Sequence, residues 1–546
     1  MTKTVALIAA IGLSCLIAVS QEYRLTINQP VARDIEPGAS HSYAIELNSG
    51  DYVAGSIEQQ GGPVSAALFQ PDGLHLRDVS ESPDGNRQFA FIAEVQGTYR
   101  LVLTSPTRAG KYELRLTNRL SLNERLNRVR HGQDPTPRED KYSCAAIEAL
   151  SRQILGGDKS TEAFWQRVTL SGTPLVEPFP RDNRYQLVTF LWRGSADTRN
   201  VLVSGFFTKP PTTDYLTNQL AGTDVWYLTV KLPSAARFAY GLSTLSDVLD
   251  TNLMRGEARG HADPLNPHLW LDQSMAELPG AAPQPWIVKK AANPEGKLEE
   301  RRIKSEFLKN ERSITVYTPP GYRTNGKPCA LLVVFDGDSY LDLVPTPVIL
   351  DNLIAASKIP PTVAVLIPNL SRETRNRELA PNEKFVDFLA KELIPWIRAH
   401  YNVTNEPRQT VVAGSSLGGT AAAYAALIHP ELFGNVLSQS GGFSWTPSTE
   451  PGWLAREYIK RTRLPLKFYL DAGVFEVDRS GNGDGILEWS RQMRDVLLAK
   501  GYEVHYQQFA GGHDYLSWRG TLADGLLALI GKQGGQAKIL QRSSSG

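Results

Sequence analysis

Between Thr410 and Ile428 the sequence leaves the chain little choice of structure. Thr410 to Gly414 reads as a β-strand and Ser416 to Ile428 as an alanine-rich helix, with Gly414-Ser415-Ser416-Leu417-Gly418 at the junction. A strand that becomes a helix within so few residues strains the central residue and crowds its neighbours, so glycines must flank it. Such a turn lifts Ser416 above the carboxyl end of a sheet as a nucleophile. It also presents the Leu417 backbone N–H to a developing oxyanion. Ser415 is the wrong serine for this geometry. The competing reading is a tight turn packed by small residues, and the strand–turn–helix setting argues against it.

Strands and helices alternate around that junction. Strands are expected at Ile314 to Thr318, Ala330 to Asp336, Val363 to Pro368, Val436 to Gln439, Lys467 to Asp471 and Val504 to Phe509. Helices are expected at Glu383 to Tyr401, Leu487 to Lys500 and Gly520 to Gly531. This grammar builds a mostly parallel sheet covered by helices, an α/β-hydrolase domain over 297–531. A serine hydroxyl needs a base at neutral pH. His513, in Phe509-Ala510-Gly511-Gly512-His513-Asp514, lies just past the last strand. His429 ends a helix before Pro430, and His505 falls inside a strand.

In this fold the acid comes between serine and histidine. Leu470 to Asp478 offers Asp471, Glu476 and Asp478. Glu476 sits about where the loop leaves the sheet and is favoured; Asp478 is the runner-up, followed by Asp484. The acid holds the imidazole tautomer and stabilises the imidazolium. The second oxyanion donor is expected in the loop after Ala330 to Val334, from backbone amides near Gly337 and Asp338. The run from Asp478 to Asp484 mimics a calcium loop, but Glu488 falls one position early for an EF-hand. No metal or other cofactor is expected.

The chain is too long for one hydrophobic core. Residues 21–118 alternate in short runs punctuated by turns such as Pro71-Asp72-Gly73 and Ala109-Gly110, the pattern of an all-β sandwich. Residues 119–160 read as a charged, partly helical connector broken at Asp134-Pro135-Thr136-Pro137. Residues 161–290 return to strands, at Tyr185 to Arg193, Val201 to Phe206 and Asp224 to Leu232, before a proline-rich close. The tail at 532–546 is polar and rich in serine and glycine, as disordered tails are.

Lys3, an apolar run from Val5 to Val19 and the small residues of Ala18-Val19-Ser20 read as an export signal over 1–20, with Gln21 as the new start. The run is short for an uncleaved membrane anchor, and Gly12 is a poor match for a lipoprotein site at Cys15. The expected location is therefore periplasmic or secreted, with no membrane attachment after cleavage. Lys plus Arg is 58 against 57 for Asp plus Glu. With no basic stripe or acidic tail besides, nucleic acid is not an expected partner. Cys144 and Cys329 remain after the leader; two cysteines make no disulfide framework, and Cys329 opens an apolar run, so it reads as a buried thiol.

At this point the motifs resemble those of a known family. Phe335-Asp336-Gly337, Arg375-Asn376-Arg377-Glu378-Leu379, Leu437-Ser438-Gln439-Ser440-Gly441, Ala472-Gly473-Val474-Phe475-Glu476 and Gly511-Gly512-His513-Asp514 join the serine turn. Val188 to Gly194, Gly222 to Tyr227 and Asp263 to Pro267 precede them. Residues 161–531 are similar to bacterial enterochelin (enterobactin) esterases, within the esterase D-like α/β hydrolases. The resemblance implies an immunoglobulin-like β-sandwich at 161–290. It also implies an enzyme that cleaves ester bonds of a ferric catecholate siderophore to release iron. Ser416, His513 and Glu476 match its catalytic positions. Arg375 matches an arginine near the substrate, where a flat, weakly hydrated guanidinium suits an anionic catecholate. Trp445 matches an aromatic that stacks on a catechol or packs in the core. With Gly-x-Tyr steps at Gly97-Thr98-Tyr99 and Gly110-Lys111-Tyr112, the first domain resembles the jelly-roll-like modules of the pre-peptidase C-terminal type. The export signal and that extra domain depart from the commonest members. A feruloyl or acetyl esterase on polysaccharides is therefore the alternative substrate reading. A non-catalytic binding protein is the rival class, and acyl transfer to another acceptor would use the same residues.

Overall fold

The computed structural model describes residues 22–532, apart from 28, 62–63, 74, 80–86, 94, 106–108, 131–143, 181, 199, 209–214, 221, 246–259 and 478–484. The export signal at 1–20, the tail beyond Lys532, the break at Asp134 to Pro137 and the calcium-like run with Asp478 and Asp484 lie outside the described residues. The chain divides into two compact units, one reaching Lys141 and the other formed mainly by the residues from Tyr142 onward.

In the first unit, period-two patterning decides the fold. Along Gly97–Thr104 the residues Tyr99, Leu101 and Leu103 are buried, while their neighbours reach the surface. Nine strands make a five-stranded and a four-stranded sheet. Their inner faces share one core, which includes Tyr43, Ile45, Val53, Ile57, Leu101 and Leu114. The strands Val31–Ile35 and His75–Asp78 complete the sandwich, although neither has a strong apolar alternation.

Residues 119–160 do not behave as one connector. The strand Gly110–Leu120 and the helix Leu122–Arg130 belong to the first unit. The helix Ala145–Leu155 belongs to the second. Its Ile147 and Leu150 lie three apart on one face and join Phe164, Trp165, Val168, Leu191 and Val225 in a small core. Two four-stranded sheets come next, built on Tyr185–Arg193 and Val225–Pro233, and on Asn200–Gly205 and Arg237–Leu245. Phe190, Val203, Phe207, Phe238 and Tyr240 fill the space between them.

The second unit ends in one eight-stranded sheet. We number its strands β1 (Lys297–Ser305), β2 (Asn310–Thr318), β3 (Ala330–Phe335), β4 (Thr362–Ile367), β5 (Thr410–Ser415), β6 (Asn435–Gln439), β7 (Lys467–Gly473) and β8 (Glu503–Phe509). The spatial order is β1-β2-β4-β3-β5-β6-β7-β8, antiparallel up to β4 and parallel beyond. Every residue of β3, β4, β5 and β6 is buried, because helices cover both faces. Alternate residues divide between two cores: Leu331, Val333 and Val412 go to one, Leu332, Val334 and Val411 to the other. Cys144 and Cys329 are buried and unbridged. No described helix is long and apolar enough to cross a membrane.

Candidate active site

The turn after β5 has the backbone its sequence demands. Ser416 sits at φ 57°, ψ −124°, outside the regions a side chain favours, and caps the helix Leu417–Ile428. Gly414 is needed beneath it: a Cβ there would lie 2.7 Å from the Gly418 carbonyl. The strained residue is tied down on both sides. Its N–H donates to the Gln439 carbonyl at 2.8 Å, and its carbonyl accepts from Gly442 N–H at 2.9 Å. Ser415 is fully buried, whereas Ser416 reaches the surface.

The other two groups arrive from β7 and β8, two and three strands along the sheet. β7 runs two residues past the expected Asp471, to Gly473, and Glu476 comes after it. His513 lies four residues beyond the end of β8. Glu476 Oε1 meets His513 Nδ1 at 2.5 Å, and Glu476 Oε2 accepts the Gly473 N–H at 2.5 Å. The Glu476 side chain is almost wholly buried, the imidazole about a quarter exposed. With Nδ1 engaged by the carboxylate, Nε2 is the ring nitrogen left for a serine hydroxyl. His513 also packs edge-on against Trp518, whose indole N–H donates to Ser440 Oγ at 2.9 Å. Ser440 directly succeeds β6, the strand that flanks the serine turn, so Trp518 bridges the histidine loop to the turn's neighbour.

Asp471, weighed as an acid, lies inside β7 with no exposure, and its Oδ1 accepts the Ser440 N–H at 2.9 Å. Burial pushes its carboxyl up to about 8, reinforced by nearby Glu476 and Asp524 and opposed by its own hydrogen bonds. A carboxyl raised above its unfolded value of about 3.9 keeps its proton in the folded state. Its contribution to stability is whole below that unfolded value and is lost as the pH rises through the folded one. Asp471→Asn should remove this loss. Melting curves should coincide near pH 4 and separate by ~4 °C or more above pH 8, the variant being the more stable. Parallel curves across that range would contradict the protonated state.

The oxyanion side departs from expectation in form. The residues after β3 are the start of a short helix, Gly337–Asp342, rather than a loop. Asp336 caps it in the left-handed region at φ 55°, and the first-turn amides of Gly337 and Asp338 have no partner within the helix. The serine turn is close by: a Cβ on Gly418 would lie 3.2 Å from Asp336 Oδ2.

Arg375 lies on the helix Arg372–Leu379, capped by Ser371, and not on a polar loop. Its Nε and Nη2 donate to the two oxygens of buried Asp336 at 2.6 and 2.8 Å. Glu378 on the same helix makes a second buried pair, with Arg312 at 2.9 Å. Burial would lower the Arg375 guanidinium, and the Asp336 carboxylate overcomes this and raises it. The expectation that Arg375 serves an anionic ligand alone is therefore revised, because its fork is occupied by the residue beside Gly337. Arg375→Ala leaves the Asp336 carboxylate buried without its counter-charge, still held by the Asn369 side-chain amide. It should slow even a small neutral ester, p-nitrophenyl acetate, by about fivefold or more and lower the melting temperature. An unchanged rate on that ester would return Arg375 to ligand binding alone.

Trp445 is half-buried after β6, edge-on to Trp453 at 5.7 Å, and Trp453 in turn leans on Tyr424. Among the described residues, no group of three or more His, Cys, Asp or Glu gathers to hold a metal. Sequence reasoning missed Asp336, although it stands in the quoted Phe335-Asp336-Gly337.

The fold and this arrangement define a serine ester hydrolase of the α/β-hydrolase type. A family model described as "Putative esterase" matches residues 305–529, and one described as "Enterochelin esterase, N-terminal" matches 187–287. The chain is 34% identical over 413 residues to the iron(III) enterobactin esterase of Dickeya dadantii, spanning 68% of this chain and 93% of that one. It is 27% identical over 415 residues to an iron(III) salmochelin esterase of Escherichia coli, 71% of this chain and 98% of that one. The crystal structure of the Shigella flexneri enterobactin esterase, in the presence of enterobactin, superposes with a TM-score of 0.55 at 29% identity, covering 68% and 98% of the two chains. The chain belongs to the enterochelin esterase family and is an ester-hydrolysing enzyme.

Proposed function

We propose that this enzyme hydrolyses the ester bonds of catecholate siderophores, freeing the iron they carry, and that it does so outside the cytoplasm. The observation that carries the chemistry is the Glu476–His513 pair at the carboxyl edge that also bears the strained Ser416. The substrate class rests on the two matched family segments and on relatives that act on enterobactin and salmochelin. The compartment rests on the leader pattern around Lys3, Val5 to Val19 and Ser20.

Ser416 Oγ attacks the ester carbonyl carbon while His513 Nε2 takes its proton. The negative oxygen is met by the Leu417 N–H and by the helix-start amide of Gly337. Collapse expels the alcohol, which receives the proton from the imidazolium. Water then attacks the acyl-serine by the same route and restores Ser416. Glu476 fixes the tautomer and stabilises the imidazolium at each stage. Trp445 offers a ring for a catechol to stack on.

The test is a hydrolysis screen read by mass spectrometry. Ferric and iron-free catecholate siderophores are compared with feruloyl and acetyl sugars, alongside fractionation of cells expressing the full chain. Release of catechol-bearing serine units by a protein trimmed near Gln21 and found outside the cytoplasm is expected. Activity confined to feruloylated sugars would overturn the substrate, and an untrimmed cytoplasmic protein would overturn the compartment.

A further inference from the structure

The loops that carry the acid and the base do not stop at the hydrolase sheet. Beyond β7 and β8 they stay zipped together, with Val474 N–H on the Phe509 carbonyl at 2.9 Å and Phe475 N–H on the Gly511 carbonyl at 3.1 Å. The joined loops then enter the neighbouring sandwich. Phe475, the residue before Glu476, is buried in the sandwich's own core with Phe190, Phe207 and Phe238, and Val474 and Ala510 pack against that core. The Ala510 carbonyl accepts the backbone N–H of Arg237 at 2.9 Å, from the first residue of the sandwich strand Arg237–Leu245. Gly512, the residue before His513, lies so close under Phe206 that any Cβ on it would collide with that side chain. The sandwich thus touches the chain immediately before both members of the Glu476–His513 pair.

We propose that this sandwich is a positioning element of the catalytic site, with Phe475 and Phe206 as positioning residues that set Glu476 and His513 relative to each other. The inference rests on the reading of Ser416, His513 and Glu476 as the reacting set. It gives the sandwich a part in the chemical step that does not depend on which ester is bound. Neither phenyl ring has any chemistry to offer the substrate. Each acts by denying its catalytic neighbour room to drift, and displacements of about 1 Å at such groups cost on the order of 10²-fold in rate.

The experiment uses the whole chain and p-nitrophenyl acetate, with rates taken per folded molecule. Phe475→Ala should lower kcat about tenfold or more with little change in KM. Phe475→Leu, which refills most of the space, should recover most of the rate. Gly512→Ala should also be slow, and adding Phe206→Gly should recover part of the rate, because the collision begins at the Phe206 Cβ, which only glycine removes. A folded Phe475→Ala with the native kcat overturns the proposal. So does a loss that only tracks the unfolded fraction, or a double variant no faster than Gly512→Ala. Glu476→Gln is measured alongside. If it is fully active, the acid assignment falls and the proposal with it; if it is impaired while Phe475→Ala is not, the positioning role alone falls.

Discussion

Ser416→Ala is expected to cut turnover of every ester tried by about 10³-fold or more while leaving the fold intact. Only a hydroxyl is lost. The contacts that hold the strained turn run through backbone atoms, the Ser416 N–H to Gln439 and the Ser416 carbonyl to Gly442 and Gly419, and these survive the change. Residual activity comes from the oxyanion donors and from binding, which the variant keeps. Ser415→Ala is the control: it alters a buried residue one position away and should be mild. Covalent labelling by a fluorophosphonate should vanish with Ser416 and persist with Ser415→Ala. Retention of most activity by Ser416→Ala would sink the nucleophile assignment.

Glu476→Gln should slow turnover by about 10²- to 10⁴-fold. The buried carboxylate faces His513 Nδ1 at 2.5 Å and carries the charge that answers the imidazolium formed on proton transfer. A neutral amide fits the same space but supplies no charge, and its NH₂ can favour the wrong tautomer. Asp478→Asn should be close to native. Steady-state kcat for both variants decides the matter, and the reverse ranking would move the acid to Asp478.

Local patterns located the strained turn at Ser416 and the loops of Glu476 and His513 that the structure brings to the sheet's edge. The serine turn, the glycine loop before His513 and the acid after β7 each depend on a few adjacent residues, so their spacing carried the information. Continuous apolar runs likewise marked β3 to β6 to within a residue or two. What escaped was long-range or polar. β1 reads Lys-Leu-Glu-Glu-Arg-Arg-Ile-Lys-Ser and pairs on one side only, so as an edge strand it has no apolar signature. The helix Arg372–Leu379 buries only its last two residues, and polar sequence gave no period to track. The pairing of Arg375 with Asp336 spans 39 positions and is set by tertiary packing. The helix Gly520 to Gly531 was placed late because its true start, Tyr515, is dictated by Asp514, whose carboxylate accepts the Ser517 N–H. Nothing in Phe475 itself distinguishes a residue of the hydrolase loop from one that fills a neighbouring domain.

Cys144 and Cys329 have a consequence for where such an enzyme can work. Cys144 lies in the small helical core beside the sandwich and Cys329 just before β3, in one of the cores that flank the main sheet, each buried and unbridged. Burial also raises the Cys329 thiol, so it stays protonated and unreactive. No covalent link has to form for folding to finish, and among the described residues no accessible thiolate invites oxidation. The second unit should therefore reach the same native state in a glutathione-rich cytosol and in an oxidising space beyond the membrane. For a lineage of enzymes built on this scaffold, relocation then asks for an address label and leaves the interior untouched.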